Sequence, residues 1–148
     1  MQILVDADSC PREAREMLLR FSARLGLKTV FAADRVIPGL PPTASMELCP
    51  KGDGSADNRI VELARPGDLA LTRDLPLAER LVQAGITVMD DRGRVFTKEN
   101  IHEYRSLRDF FVNLADNGLD IERTSTYGKK EIKALAGSLD RELNRLLK

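Results

Sequence analysis

The chain has 148 residues, a length that suits one domain, residues 1–148, and lets it bury a sizeable core. Hydrophobic residues make up 43% and charged residues 31%, which excludes wholesale disorder and a membrane-embedded chain. Lys+Arg and Asp+Glu stand at 23 each, so the formal net charge of zero excludes a large basic face for duplex binding but not a local basic groove.

Ile3-Leu4-Val5 is a short apolar run that stops at Asp6, the first predicted strand. Pro11 suits the first turn of a helix. Ala14, Met17, Leu18, Phe21 and Leu25 then recur at helical spacing, and Gly26 supplies the stop. Residues 29–33 read as the second strand, and residues 46–49 as the third, after a proline-rich loop over 38–42. Ser55 is a good N-cap for a helix through Ile60, Val61 and Ala64, closed by Pro66-Gly67. Residues 69–72 form a fourth strand ending at Arg73-Asp74, followed by a helix with Leu77, Leu81 and Val82 inward and Gly85 as its stop. Residues 86–89 form a fifth strand ending at Asp90 and Asp91. Thr97 caps a long helix with Ile101, Tyr104, Leu107, Phe111 and Leu114 inward and Asn117-Gly118 at its end. Residues 120–128 are a polar connector. A last helix, about 129–147, presents Ile132, Leu135, Leu139, Leu143 and Leu146 for docking on the domain.

Strand–helix alternation of this kind predicts an α/β fold: a mainly parallel sheet of about five strands with helices on both faces. In such a sheet the carboxyl ends of all strands share one edge, where ligands bind. Asp6, Asp8, Asp74, Asp90 and Asp91 all follow strands, so residues distant in sequence are expected to meet there. Asp57 precedes Ile60 and Val61 by three and four residues, and so shares their inward face. Clustered carboxylates stay ionised only beside cations. Hard oxygen donors, with His102 the only histidine, favour Mg²⁺ or Mn²⁺ over zinc. Asp6, Asp57 and Asp74 are the expected metal-binding and catalytic residues, with Asp8 and Asp90 in support and Thr72 orienting water or ligand. Asp91 reads as a turn residue before Gly93. Each of these acids also has a plain alternative as a helix cap or dipole partner.

Cys10 is expected to support the site as a structural or metal-adjacent residue, because no histidine lies near it in sequence. Two cysteines, Cys10 and Cys49, make neither a disulfide scaffold nor a zinc pattern. The loop Lys51-Gly52-Asp53-Gly54-Ser55 lacks a Walker ending but can lead Asp57 into place and touch phosphate. Arg12, Lys51 and Arg73 are expected to bind substrate phosphate, with Arg15, Arg35, Arg105 and Arg108 as further members of a basic rim. Arg105 has a plain alternative partner in Asp109. With no Trp, two Tyr and five Phe, base stacking is not expected to be prominent. The opening residues meet an acid at Asp6 and hold no signal-peptide core, and no apolar run spans a membrane, so a cytoplasmic location is expected.

The stretches Val5-Asp6-Ala7-Asp8-Ser9-Cys10-Pro11, Ala56-Asp57-Asn58, Gly67-Asp68-Leu69 and Thr72-Arg73-Asp74-Leu75-Pro76-Leu77-Ala78 resemble the motifs of the YaiI/YqxD family. So do Arg92-Gly93, Glu99-Asn100-Ile101 and Arg108-Asp109-Phe110. That family is grouped with the PIN-like nucleases. The resemblance implies a PIN-like three-layer α/β/α sandwich whose acidic cluster binds metal and hydrolyses RNA, single-stranded or structured. It matches Asp6 to the acid ending the first strand, Asp57 to the helical acid, and Asp74, behind Thr72, to the acid after the fourth strand. The fourth acid of that group has Asp90 nearest by position and Asp8 as a substitute. The stretch from Thr124 to Lys130 departs from the proline-rich connector of relatives.

Two other readings stand beside this one. Asp6-Ala7-Asp8 also resembles the nucleophile and acid of haloacid-dehalogenase-like phosphatases, but no lysine lies between Thr72 and Asp90 as that chemistry requires. A non-catalytic RNA- or protein-binding module is the third.

Overall fold

Six strands form one sheet: β1 (Gln2–Asp6), β2 (Lys28–Ala33), β3 (Ala44–Leu48), β4 (Leu69–Leu71), β5 (Thr87–Met89) and β6 (Val95–Phe96). The structure is a computed structural model, described for residues 1–52, 54–116, 118 and 127–148. The sheet order is β3-β2-β1-β4-β5-β6. Strands β1 to β5 run parallel, and β6 pairs antiparallel with β5. Five α-helices accompany them: α1 (Arg12–Leu25), α2 (Ser55–Leu63), α3 (Leu75–Gln83), α4 (Ile101–Asp116) and α5 (Lys129–Leu146). No helix among the described residues is long and apolar enough to cross a membrane.

Successive side chains of a strand point to opposite faces, and both faces here are covered. Ile3, Val5, Phe31 and Met89 meet Ala14, Leu18 and Phe21 of α1 and Leu135, Leu139 and Leu143 of α5. Leu4, Val30, Ala70 and Val88 meet Ile60 of α2, Leu77 and Leu81 of α3, and Ile101 of α4 on the other side. Burial on both faces is why the central strands read as continuous apolar runs rather than alternating ones.

Two polar side chains are buried in the strands: Asp6, at the end of β1, and Thr29 of β2. Thr29 carries the cost. It is fully buried, and its hydroxyl has no hydrogen-bond partner. Since an unsatisfied buried hydroxyl costs about 1–3 kcal/mol, Thr29→Val should raise stability by roughly 1 kcal/mol, read as a higher urea midpoint at unchanged slope.

The structure departs from the sequence expectations at one cap, where Ser55, expected to cap α2, is its first helical residue behind Gly54, and at two elements. The first is β6, which was not expected: two residues carry no periodicity to detect. It closes a hairpin in which the Asp90 amide donates to the Arg94 carbonyl at 3.0 Å. The second is α4. Thr97 does cap its start, accepting from the Asn100 amide at 3.1 Å while Asn100 Oδ1 accepts from the Thr97 amide at 2.8 Å. Ile101 is buried, but Leu107 and Phe111, expected inward, are exposed, and Leu114 is half-buried. Tyr104 packs its ring edge-on against Phe96, and beyond it Leu107, Phe110, Phe111 and Val112 are exposed. Asn117 and the connector stretch 119–126 lie outside the described residues, as does Asp53 of the glycine loop.

Helix α5 docks through its leucine stripe and through polar ties that include Ser138 Oγ, donating to the Gly93 carbonyl at 2.6 Å, and Arg145 Nη2, donating to Thr87 Oγ1 at 3.0 Å. Gly93 has φ +80°, and a Cβ there would lie 2.5 Å from the Ala134 carbonyl oxygen. The hairpin and the helix backbone therefore touch at a position open only to glycine.

Candidate active site

The order β3-β2-β1-β4-β5 reverses its winding direction between β1 and β4, which is where an open parallel sheet leaves a crevice beyond its carboxyl ends. Asp6 ends β1 and is 6% exposed; Thr72 follows β4 and is 1% exposed. The Thr72 hydroxyl donates to Asp6 Oδ2 at 2.8 Å and accepts from the Asp74 amide at 3.0 Å. One side chain thus stitches the two strand ends together across the crevice. Ser9, in the single 3-10 turn after β1, places its Oγ 3.1 Å from Asp6 Oδ2 and accepts from the Arg73 amide at 3.2 Å. Sequence reasoning missed Ser9 as a site residue; its place one turn beyond a strand-end acid was the available signal.

Asp74 is both helix cap and site residue. Its Oδ1 accepts from the Leu77 amide at 3.1 Å, opening α3, while its carboxyl also lies within hydrogen-bonding reach of Asp57. Asp57 enters from the first turn of α2, behind Gly54, whose φ of 75° turns the loop into the helix. Burial, then the charges of Asp74 and Asp6, push the Asp57 carboxyl up to about 6. Burial also raises Asp6, opposed by the hydrogen bonds from Thr72 and Ser9 and reinforced by Asp74 and Asp8. Asp6, Asp8, Asp57 and Asp74 all line one open cleft of about 390 Å³, with Arg73 and Arg108 at its rim.

The remaining expected members lie elsewhere. Asp90 is 1% exposed, and its carboxylate is spent on its own hairpin: it accepts from the Arg92 and Arg94 amides at 2.9 Å each and from Arg94 Nε at 2.6 Å. It does not line the cleft. Its neighbour Asp91, expected to be a turn residue, instead holds the cleft-lining Arg73: Oδ2 accepts from Arg73 Nε at 2.9 Å and from Nη2 as well. Cys10 is buried and does not line the cleft, and burial followed by the nearby Asp91 charge pushes its thiol up to about 12. Arg12 is exposed and paired with Glu16 at 3.1 Å, and Lys51 is exposed and does not line the cleft, although Gly52 and Gly54 do. Arg105 pairs with Glu79 on α3 rather than with Asp109.

The profile described as "Uncharacterized BCR, YaiI/YqxD family" matches residues 4–145. The chain belongs to the YaiI/YqxD family. A UPF0178 protein of Treponema denticola is 46% identical over 148 residues, covering 100% of this chain and 95% of its own length. Another from Myxococcus xanthus is 43% identical over 150 residues, covering 100% and 97%, and one from Treponema pallidum is 45% identical, covering 100% and 84%. No solved structure matches the chain. The family match takes in every cleft acid of this YaiI/YqxD chain and nearly all of α5.

The cleft side chains able to ligate a cation offer hard carboxylate or hydroxyl oxygens, and two of the acids are raised by burial first and by neighbouring carboxylates second, so the site is short of positive charge. Among the described residues, no group of three His, Cys, Asp or Glu side chains is arranged to hold a metal ion directly. Mg²⁺ fits such a site chemically, because it retains several waters and takes only one or two carboxylates directly.

The repulsion has a measurable sign. In the folded YaiI/YqxD chain Asp57 titrates at about 6, above its ordinary 3.8, so the folded state holds a proton that the unfolded state has lost. Stability in EDTA should therefore fall as pH rises from about 4 to about 6. Asp57→Asn should flatten that slope and melt above the wild type at pH 7, as thermal melts of both proteins across the range will show.

Proposed function

We propose that this YaiI/YqxD chain is a metal-dependent phosphodiesterase that cuts RNA. The observation that supports the reading best is the carboxyl of Asp57, raised to about 6 in an open cleft by burial and by Asp74 and Asp6. Such a site gains most from a divalent ion and the phosphate it brings. The PIN-like resemblance of the strand-end motifs points the same way.

Asp6, Asp57 and Asp74 are the residues that would hold Mg²⁺ or Mn²⁺, in part through water. A divalent ion held there would supply Lewis acidity, for polarising a phosphoryl oxygen and acidifying a water that attacks phosphorus in line. The chain's own residues do the rest. Thr72 and Ser9 both bond Asp6 Oδ2, which fixes the carboxylate's rotation and leaves Oδ1 for the cleft. Asp74 is held by its cap bond to Leu77. Arg73, braced by Asp91, and Arg108 stand at the rim, where two guanidinium groups fit the non-bridging oxygens of a phosphodiester. The phosphatase alternative gains no support, because the late acids it requires are tied to Arg94 and Arg73.

Incubation of the purified chain with a 5′-labelled single-stranded RNA tests the reading. Cleavage is expected in Mn²⁺ or Mg²⁺ and absent in EDTA. RNA left whole with either ion, or cut equally in EDTA, refutes it.

A further inference from the structure

Asp91 is 1% exposed and does not line the cleft, yet it is bonded to a residue that does. Its Oδ2 accepts from both Nε and Nη2 of Arg73, the lateral edge of the guanidinium plane. Its Oδ1 is buried and has no hydrogen-bond partner among the described residues. The Arg73 side chain is 46% exposed. With the lateral edge taken, the donors left to a ligand are those of Nη1 and the second proton of Nη2, which form the other bidentate edge of the same plane. The main chain is held as well: the Arg73 amide donates to Ser9 Oγ at 3.2 Å, and that oxygen lies 3.1 Å from Asp6 Oδ2. Arg73 is therefore fixed at its backbone from the acidic side and at its head from outside the cleft.

Stability does not explain the pair, because a buried carboxylate regains little more than its desolvation cost, and here one oxygen is left uncompensated. Charge does not explain it either, since an anion behind a guanidinium weakens the attraction for phosphate. We propose that Asp91 is a positioning residue: by occupying one edge of the Arg73 guanidinium, it presents the other to a phosphodiester in the cleft. This rests on the phosphodiesterase reading and adds to it a residue that never touches the strand. Orientation and charge predict opposite signs when the carboxylate is removed, so the two are separable.

Fluorescence anisotropy in EDTA at about 50 mM salt, with a labelled single-stranded RNA 12-mer as probe, makes the test. Asp91→Leu keeps the shape and removes every acceptor; Asp91→Ala repeats the measurement with the side chain cut back. Both keep the backbone carbonyl that receives the Tyr127 hydroxyl, and melting curves check the fold. Each should bind about fivefold to tenfold more weakly than the wild type, with the slope of log K against log salt flattened by about 0.7, the share of one phosphate on a single strand. The double variant Arg73→Ala, Asp91→Ala should be no weaker than Asp91→Ala, within about twofold. Asp91→Asn, which keeps an acceptor oxygen, should recover most of the loss. In Mn²⁺ the loss should fall on KM rather than on kcat. Tighter binding by Asp91→Leu and Asp91→Ala assigns the residue a charge role alone, and a lowered melting temperature with an unmoved salt slope assigns it a packing role alone. Either result overturns the proposal, as does a wild type without strand affinity. A wild type that cuts no RNA yet shows the expected binding pattern sinks the hydrolase reading and upholds the positioning role.

Discussion

Asp6→Asn should lower metal-dependent RNA cleavage by at least about 100-fold while leaving the protein folded. The acid ends the central strand of the sheet and lines the cleft, so its charge is the one best placed to hold an ion at the switch point. An ion at the reacting phosphate contributes several kcal/mol of transition-state stabilisation, and each 1.36 kcal/mol is about tenfold in rate. Asparagine keeps the shape and one oxygen for the Thr72 hydroxyl, which reaches Asp6 Oδ2 at 2.8 Å. Because burial raises the Asp6 carboxyl, ionising it at neutral pH opposes folding, and the variant should melt at or above the wild type in EDTA. Initial rates, Mn²⁺ calorimetry and melting curves on one preparation decide the matter. Undiminished cleavage by the variant assigns the activity to another site or another protein.

Gly93→Ala should destabilise the chain by about 2–5 kcal/mol. The new Cβ would lie 2.5 Å from the Ala134 carbonyl oxygen and 2.9 Å from Ser138 Oγ, and the first of these is backbone that cannot rotate away. Overpacking costs about 1–3 kcal/mol, and an alanine held at φ +80° adds roughly 1–2 kcal/mol. Relief requires α5 to lift, which exposes Leu135, Leu139 and Leu143 from the core. Urea denaturation should show the midpoint fall; a midpoint equal to the wild type refutes the close approach.

The parallel core was legible because β1, β2, β4 and β5 are apolar runs cut off by turns or acids, and two-sided burial leaves that signature. Asp6, Asp57 and Asp74 were legible as neighbours for a related reason: strand ends and an inward helix face fix direction without side-chain detail. The roles of Asp90 and Asp91 were not. Adjacent acids at one strand end look alike until the two-residue β6 turns the chain back, giving one to Arg94 and the other to Arg73. Likewise the α4 periodicity marks an apolar side but says nothing of whether the rest of the fold reaches it.

The hairpin between β5 and β6 faces two ways within three residues. Gly93 meets the backbone of the last helix, while Asp91, two positions earlier, grips a guanidinium at the mouth of the cleft and receives the Tyr127 hydroxyl on its carbonyl. The seating of the last helix and the aim of an arginine at the cleft are in this way mechanically joined. Loosening the former would blunt the latter with every acid still in place.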